Sequence, residues 1–164
     1  MVVSRTPIRI TLDNTDFSSL KAGLNGASTT TTAHLNFILR AMQVATTFYQ
    51  NRLQVTQLSR IYSPATCFDF ATPTNDQANG IASSDLHIYV RYLTDKNIGY
   101  GATGISCKQY TGTSAPDSTL QAGRSTVGRI IFNTYTLLES LGIANDAQLL
   151  TNRRFSSITS TALH

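Results

Sequence analysis

Histidine and cysteine side chains are the first candidates for chemistry in this sequence, because both can bind a metal ion and both are rare here. The 164 residues include three histidines and two cysteines. His34, His87 and His164 lie far apart in the sequence. A protein zinc site needs at least three side chains, so a lone histidine is more often a surface or packing residue than a ligand. Taken singly, none of the three predicts a metal site.

The segment before His164 distinguishes that histidine from the other two. Phe155, Ile158 and Ala162 recur at helical spacing, and neither a C-cap glycine nor a basic last turn ends the pattern. The zinc motif His-Glu-x-x-His places two histidines on one face of a helix, with a glutamate that activates the metal-bound water. We interpret residues 154–164 as the lead-in to such a motif. We expect the chain to be truncated at His164, which would be the first histidine of the motif.

The two cysteines, Cys67 and Cys107, are too few for a disulfide-dense scaffold. Their number leaves two possibilities open. They form one bridge in a secreted domain, or they are two buried thiols in a cytosolic one.

A glycine-rich stretch lies shortly before Cys107. Glycines weaken a central strand but suit an edge strand, where another backbone comes close. The stretch is therefore either an edge that pairs with an extended peptide or a flexible turn. It is not a phosphate loop, because no Gly-Lys-Ser/Thr follows it. Its residues are Ile98, Gly99, Tyr100, Gly101, Ala102 and Thr103.

Hydrophobic periodicity predicts the elements that must position these residues. Residues 33–52 have the 3.6-residue period of an amphipathic helix. Residues 86–92 alternate like a strand, with Leu86, Ile88, Val90 and Tyr92 on the apolar face and His87 on the minor face. Further strands are predicted at residues 7–12, 53–61 and 127–132. This order predicts an α/β fold with one sheet and helices packed on it.

Composition limits the classes of function. The net charge is +4, but the basic residues are scattered, so we predict no nucleic-acid partner. No run approaches the ~20 apolar residues of a membrane helix, so we predict no transmembrane segment. The first residues have no signal-peptide pattern. The length suits a single domain.

Seven segments, in this order, resemble the leishmanolysin-like zinc metallopeptidases, which are members of the metzincins. The resemblance covers nearly the whole chain, and Ser125 stands where proline is common in that family. The matching segments are residues 7–12, 39–57, 67–70, 84–90, 101–107, 123–133 and 160–164.

The resemblance implies a metzincin-like upper subdomain. Its twisted, mostly parallel sheet would have about five strands with an antiparallel edge strand, one backing helix and a truncated active-site helix. Residues 1–164 would form a single partial domain that ends at the start of the zinc motif. His164 would be the first zinc ligand, and the glutamate general base would follow it.

The resemblance also implies further roles. Residues 98–103 would be the edge strand that binds an extended peptide or protein substrate, and Cys67 and Cys107 would form a disulfide. The protein would be extracellular or at the cell surface. We predict a zinc metalloendopeptidase in the parent protein, whereas this chain alone would bind no zinc stably and would be inactive. The alternatives are a non-catalytic binding or structural domain that docks partners through the edge strand, and an unrelated cytosolic α/β domain.

Overall fold

The computed structural model of this chain describes residues 5–16, 29–93, 95, 97–111 and 123–133. Helices and strands are mixed along these residues, which confirms the predicted α/β class. The helices are α1 (Thr29–Gln50) and α2 (Thr74–Ala78), and the strands are β1 (Thr6–Pro7), β2 (Ile10–Asp13), β3 (Gln54–Val55), β4 (Arg60–Ile61), β5 (Thr66–Cys67), β6 (Phe70–Ala71), β7 (Ile81–Ala82), β8 (Leu86–Leu93), β9 (Ala102–Gln109) and β10 (Ser125–Asn133).

Four strands form the main sheet, in the order β2-β8-β10-β9. β2 and β8 are parallel, with Ile10 opposite Leu86 and Asp13 opposite Tyr89. Among the described strands, β9 lies at the edge of the sheet, and its first two residues belong to the glycine-rich stretch 98–103.

β9 and β10 run antiparallel. The N–H of Asn133 donates to the carbonyl of Gly101 (2.7 Å), and the N–H of Tyr110 donates to the carbonyl of Arg124 (2.7 Å). The end of β10 is thus bonded to the start of β9, and the start of β10 to the end of β9, which is the antiparallel register. β9 is therefore antiparallel to its neighbour β10.

The second predicted strand differs from what the structure contains. Residues 53–61 form only two short pairings, outside the main sheet: β3 is antiparallel to β1, and β4 is antiparallel to β7. The physical reason is weak alternation, because only Val55, Leu58 and Ile61 supply apolar side chains that are at least partly buried. In the described residues the main sheet thus has four strands rather than about five.

The long helix α1 matches the predicted helix at residues 33–52 to within four residues at each end. Its apolar stripe is buried because a helix with one wide apolar face must cover that face. The buried residues of α1 are Leu35, Phe37, Ile38, Ala41, Met42 and Ala45. The helix ends where the N–H of Leu53 donates to the carbonyl of Tyr49 (2.8 Å).

Two compact units divide the chain. The first unit comprises Met1–Asp13, Tyr49–Tyr89 and Gly104–Arg129, and the second comprises Asn14–Phe48, Val90–Thr103 and Ile130–His164. In the first unit, a core of Ile61, Tyr89 and Val127 is packed by Leu58, Phe70, Ile81 and Cys107. In the second unit, the apolar stripe of α1, Val90 and Phe132 are buried.

The two faces of β8 correct one sequence expectation. His87 and Tyr89, on the face predicted to be minor, are 7% and 1% exposed, whereas Leu86 and Ile88 are only half-buried. β8 is an interior strand of the sheet, between β2 and β10. In such a strand both faces can be covered, so alternation alone cannot show which face is inside.

Asp85, immediately before β8, ties together three separate segments of the first unit. Its fully buried carboxylate accepts hydrogen bonds from the backbone and side chain of Arg9 (2.9–3.0 Å) and from the N–H of Leu58 (2.7 Å). Burial raises the pKa of Asp85, but these donors outweigh it and hold the pKa below its ordinary value. The carboxylate is therefore an ionised structural clamp.

Candidate functional site

The candidate peptide-binding segment, residues 98–103, lies where the chain enters the edge strand. Ala102 and Thr103 are the first two residues of β9, and residues 98–101 precede the strand. Gly99, Tyr100 and Thr103 are exposed, Tyr100 by 42%. Within the described residues, no strand pairs with the outer side of β9. The edge therefore offers backbone groups to an incoming strand.

A single buried side chain holds this segment. Asn133 ends β10 and has no exposed surface. Its Nδ2 donates to the carbonyls of Asp95 (2.8 Å) and Ile98 (3.1 Å), and its Oδ1 accepts from the N–H of Asp95 (3.2 Å). Together with the backbone bond to Gly101, these contacts attach the segment before β9 to the end of β10.

A local turn supports the same segment. The N–H of Asn97 donates to Oδ1 of Asp95 (2.8 Å), which is an Asx turn. The backbone of Asp95 is bound to Asn133, so this turn is fixed at its start. The arrangement can orient a backbone for pairing, but it contains no nucleophile and no acid–base pair.

The Cys67–Cys107 disulfide fixes β9 farther along its length. The structure contains this bridge, with Cα atoms 5.1 Å apart. Cys67 precedes a two-residue turn between β5 and β6, in which Phe68 adopts φ +59° and is 69% exposed. The guanidinium of Arg129 bonds to the carboxylate of Asp69 and lies 6.0 Å from the Phe68 ring centroid. The bridge thus connects this turn to the edge strand.

His87 lies in a polar cluster inside the first unit. Its Nδ1 shares a hydrogen bond with Oγ1 of Thr11 (2.7 Å), and Thr11 shares another with Oγ of Ser84 (2.8 Å). The Ser84 hydroxyl donates to the carbonyl of Leu86 (3.0 Å). Each hydroxyl has one hydrogen, so Ser84 accepts from Thr11, and Thr11 accepts from His87. This series of hydrogen bonds places the imidazole proton on Nδ1. Nε2 then carries a lone pair, and it has no hydrogen-bond partner among the described residues.

Tyr89 continues this cluster on the same face of β8. Its ring is edge-on to His87, with centroids 4.7 Å apart. Its hydroxyl contacts Oγ of Ser63 (2.6 Å) and donates to Oδ2 of Asp76 (2.9 Å).

Burial sets the protonation states in this cluster. It lowers the pKa of His87 below the ordinary value, although the charges of Asp76 and Asp13 oppose this. It also raises the pKa of the Tyr89 hydroxyl. Both side chains are therefore neutral near pH 7. Neither is exposed, so the cluster is a structural element of the core rather than a site open to substrate.

The predicted metal ligand His164 and the helix before it lie outside the described residues. Among the residues that the structure does describe, no three histidine, cysteine, aspartate or glutamate side chains form a group that could hold a metal ion. The fit of zinc to its predicted ligands therefore stays a prediction. No helix in the described part of the chain is long and apolar enough to cross a membrane.

Sequence reasoning missed Asn133 and misjudged the surroundings of His87. Asn133 has one available signal: it is a polar residue at the end of the apolar run 127–132. His87 and Tyr89 also give a signal, since two side chains that combine an apolar ring with a polar atom occupy one face of a buried strand.

The sequence was compared with protein-family models and with curated proteins. No protein-family model matches the sequence. No curated protein matches it at a significant level.

Proposed function

We propose that this chain is the N-terminal part of the catalytic domain of a leishmanolysin-like zinc metalloendopeptidase, located outside the cell or at its surface. The observation that carries the proposal is the antiparallel edge strand β9. It begins in the glycine-rich segment 98–103, to which the family resemblance assigns substrate binding. The Cys67–Cys107 disulfide supports the location, because such bonds persist in oxidising compartments.

In this proposal the described residues bind the substrate rather than cleave it. An extended peptide adds as a strand to the outer edge of β9, which no described strand covers, and main-chain hydrogen bonds supply the affinity. Asn133 and the disulfide hold that edge before the peptide arrives, which lowers the ordering cost of binding. His164 would be a zinc ligand, and zinc in such a site polarises the peptide carbonyl and activates a water molecule.

The test starts with the coding sequence after His164, where the proposal expects Glu-x-x-His. The protein extended through that motif should contain one zinc and cleave casein, with loss of activity on chelation. His164→Ala should lose both the zinc and the activity, whereas His34→Ala, a matched histidine outside the motif, should keep both. We expect the 164-residue chain alone to do neither, so robust chelator-sensitive proteolysis by that chain would contradict the proposal.

A second candidate is a peptide-binding domain without catalysis. It is favoured by one observation: the bonds from Asn133 to Asp95 and Ile98, which hold the edge segment, join protein groups without a metal ion. A stop codon directly after His164, with zinc-independent peptide binding, would decide for this candidate.

A further inference from the structure

Asn133 uses all its side-chain polar atoms on the segment before the edge strand. Both carbonyls bound by its Nδ2, and the N–H bound by its Oδ1, belong to residues outside any strand. Strand pairing therefore does not explain these contacts. Asp95 is bound through both its N–H and its carbonyl, so the side chain substitutes for a strand partner there.

The position of Asn133 gives these contacts a consequence for the edge. Asn133 is the last residue of β10, and its own N–H donates to Gly101, one residue before β9 begins. Residues 98 and 101 are thus both attached to the same residue of the sheet. Asn133 therefore fixes two points on the path of residues 98–101.

We propose that Asn133 is a positioning residue for peptide binding: its three side-chain hydrogen bonds preorganise residues 98–103 as a template for an extended peptide. This inference rests on the proposed peptide-binding function of the edge strand. Asn133 does not contact the peptide in this proposal, and it acts through Asp95, Ile98 and Gly101.

Two substitutions test whether the Nδ2 donors of Asn133, and not only the volume of its side chain, hold the segment. Asn133→Asp keeps the shape and one acceptor but removes both Nδ2 donors and places a carboxylate beside two carbonyl oxygens. Asn133→Ala removes all three bonds. Both variants should release the backbone at Asp95 and Ile98, while the N–H of residue 133 keeps its bond to Gly101. Both should therefore bind peptide about tenfold more weakly, since preorganisation is lost.

The experiment uses the 164-residue chain and fluorescein-labelled tryptic peptides of casein, with affinity measured by fluorescence anisotropy. Amide hydrogen exchange of residues 95–101 is measured in parallel. We expect faster exchange in that segment for both Asn133 variants, while amides of β8 keep their protection. Thr72→Val is the matched control: it removes a buried side-chain hydrogen bond in the first unit, to the carbonyl of Pro64, and should leave peptide affinity unchanged.

Asp95→Ala covers the case in which the Asn133 variants fail to fold. It removes only the turn bond to the N–H of Asn97 and should weaken peptide binding about threefold. Wild-type peptide affinity in a folded Asn133 variant would overturn the positioning role of Asn133 but not peptide binding by the edge strand. If neither Asn133 variant folds, wild-type affinity in Asp95→Ala would do the same. If the wild-type chain itself shows no saturable peptide binding, the inference and the peptide-binding role of the edge strand both fail.

Discussion

Asp85 and His87 are two residues apart, and both are buried, yet the surroundings of Asp85 stabilise its charged form and those of His87 destabilise its charged form. Asp85 accepts hydrogen bonds on both carboxylate oxygens, from Arg9 and from Leu58. His87 has one partner, Thr11, and its Nε2 has none among the described residues. The first site holds an ionised group, and the second excludes one.

The difference shows what a buried charge requires. A carboxylate stays ionised inside a protein when several donors converge on it and a cation lies beside it. An imidazolium instead needs acceptors and an anion. Nε2 of His87 has no acceptor among the described residues, and burial outweighs the charges of Asp76 and Asp13, so protonation is disfavoured. Both residues therefore make the fold sensitive to acid, but through different states and at different pH.

The largest expected effect comes from removing the charge of Asp85. Asp85→Asn should cost about 3 kcal/mol of unfolding free energy, because the guanidinium of Arg9 loses the buried carboxylate that pairs with it and keeps the carbonyl of Leu58. Urea denaturation at pH 7 measures this. The control is Asp16→Asn, since Asp16 pairs with Arg91 (3.2 Å) where both side chains are about one-third exposed, and its loss should cost about 1 kcal/mol or less. Equal losses in the two variants would remove the distinction we draw for Asp85.

A smaller loss is expected when Thr11, the hydrogen-bond partner of His87 among the described residues, is replaced. Thr11→Val leaves both imidazole nitrogens without a hydrogen bond and should cost about 2 kcal/mol. Thr126→Val is the matched control, because Thr126 also donates a single side-chain bond, to the carbonyl of Lys108 (3.2 Å), and should cost about 1 kcal/mol. If thermal denaturation ranks the two variants the other way, Thr11 is not the essential partner of His87.

The smallest effect is a fall in stability in mild acid. The pKa of His87 is lowered on folding, so below its ordinary value of 6.5 the unfolded chain binds a proton that the folded chain does not. Stability should therefore be flat above pH 6.5 and fall below it, with a slope of at most about 1.4 kcal/mol per pH unit. His87→Gln should abolish this fall, whereas His34→Gln and His164→Gln should retain it.

Asp85 should cause a second fall in stability, at lower pH, in the same measurement. Its pKa is lowered on folding, so its contribution is complete above the ordinary value of 3.8 and is lost as the pH falls from there toward the folded-state pKa. His87→Gln should keep this second fall, and Asp85→Asn should lose its contribution. A single transition that both substitutions shift together would contradict two independent sites.

Periodicity was sufficient to predict the elements with strong patterns. The helix at residues 33–52, the strand at 86–92 and the buried strand at 127–132 correspond to α1, β8 and β10, because each carries several apolar residues at the spacing of its element. The stretch 53–61 lacks such a set, so its pairing depends on distant partners. The face of β8 that is more buried also depends on what covers it, which a local pattern does not contain.

The candidate site could be predicted only in part. Glycines indicated an edge at residues 98–103, and the family resemblance favoured the cysteine pairing that the structure contains. Asn133 could not be identified in the same way, because its partners are backbone groups of Asp95 and Ile98, 35 or more positions away. Backbone groups are common to all residues, so no residue type marks them in the sequence.

The Cys67–Cys107 bridge has a consequence for the integrity of the chain under proteolysis. Its two ends are 40 positions apart, and the enclosed ring includes β8 and the segment held by Asn133. A single cut inside the ring opens it without separating any fragment, so the protein migrates as one mass until it is reduced. One cut between residues 98 and 103 would therefore leave a covalently intact molecule.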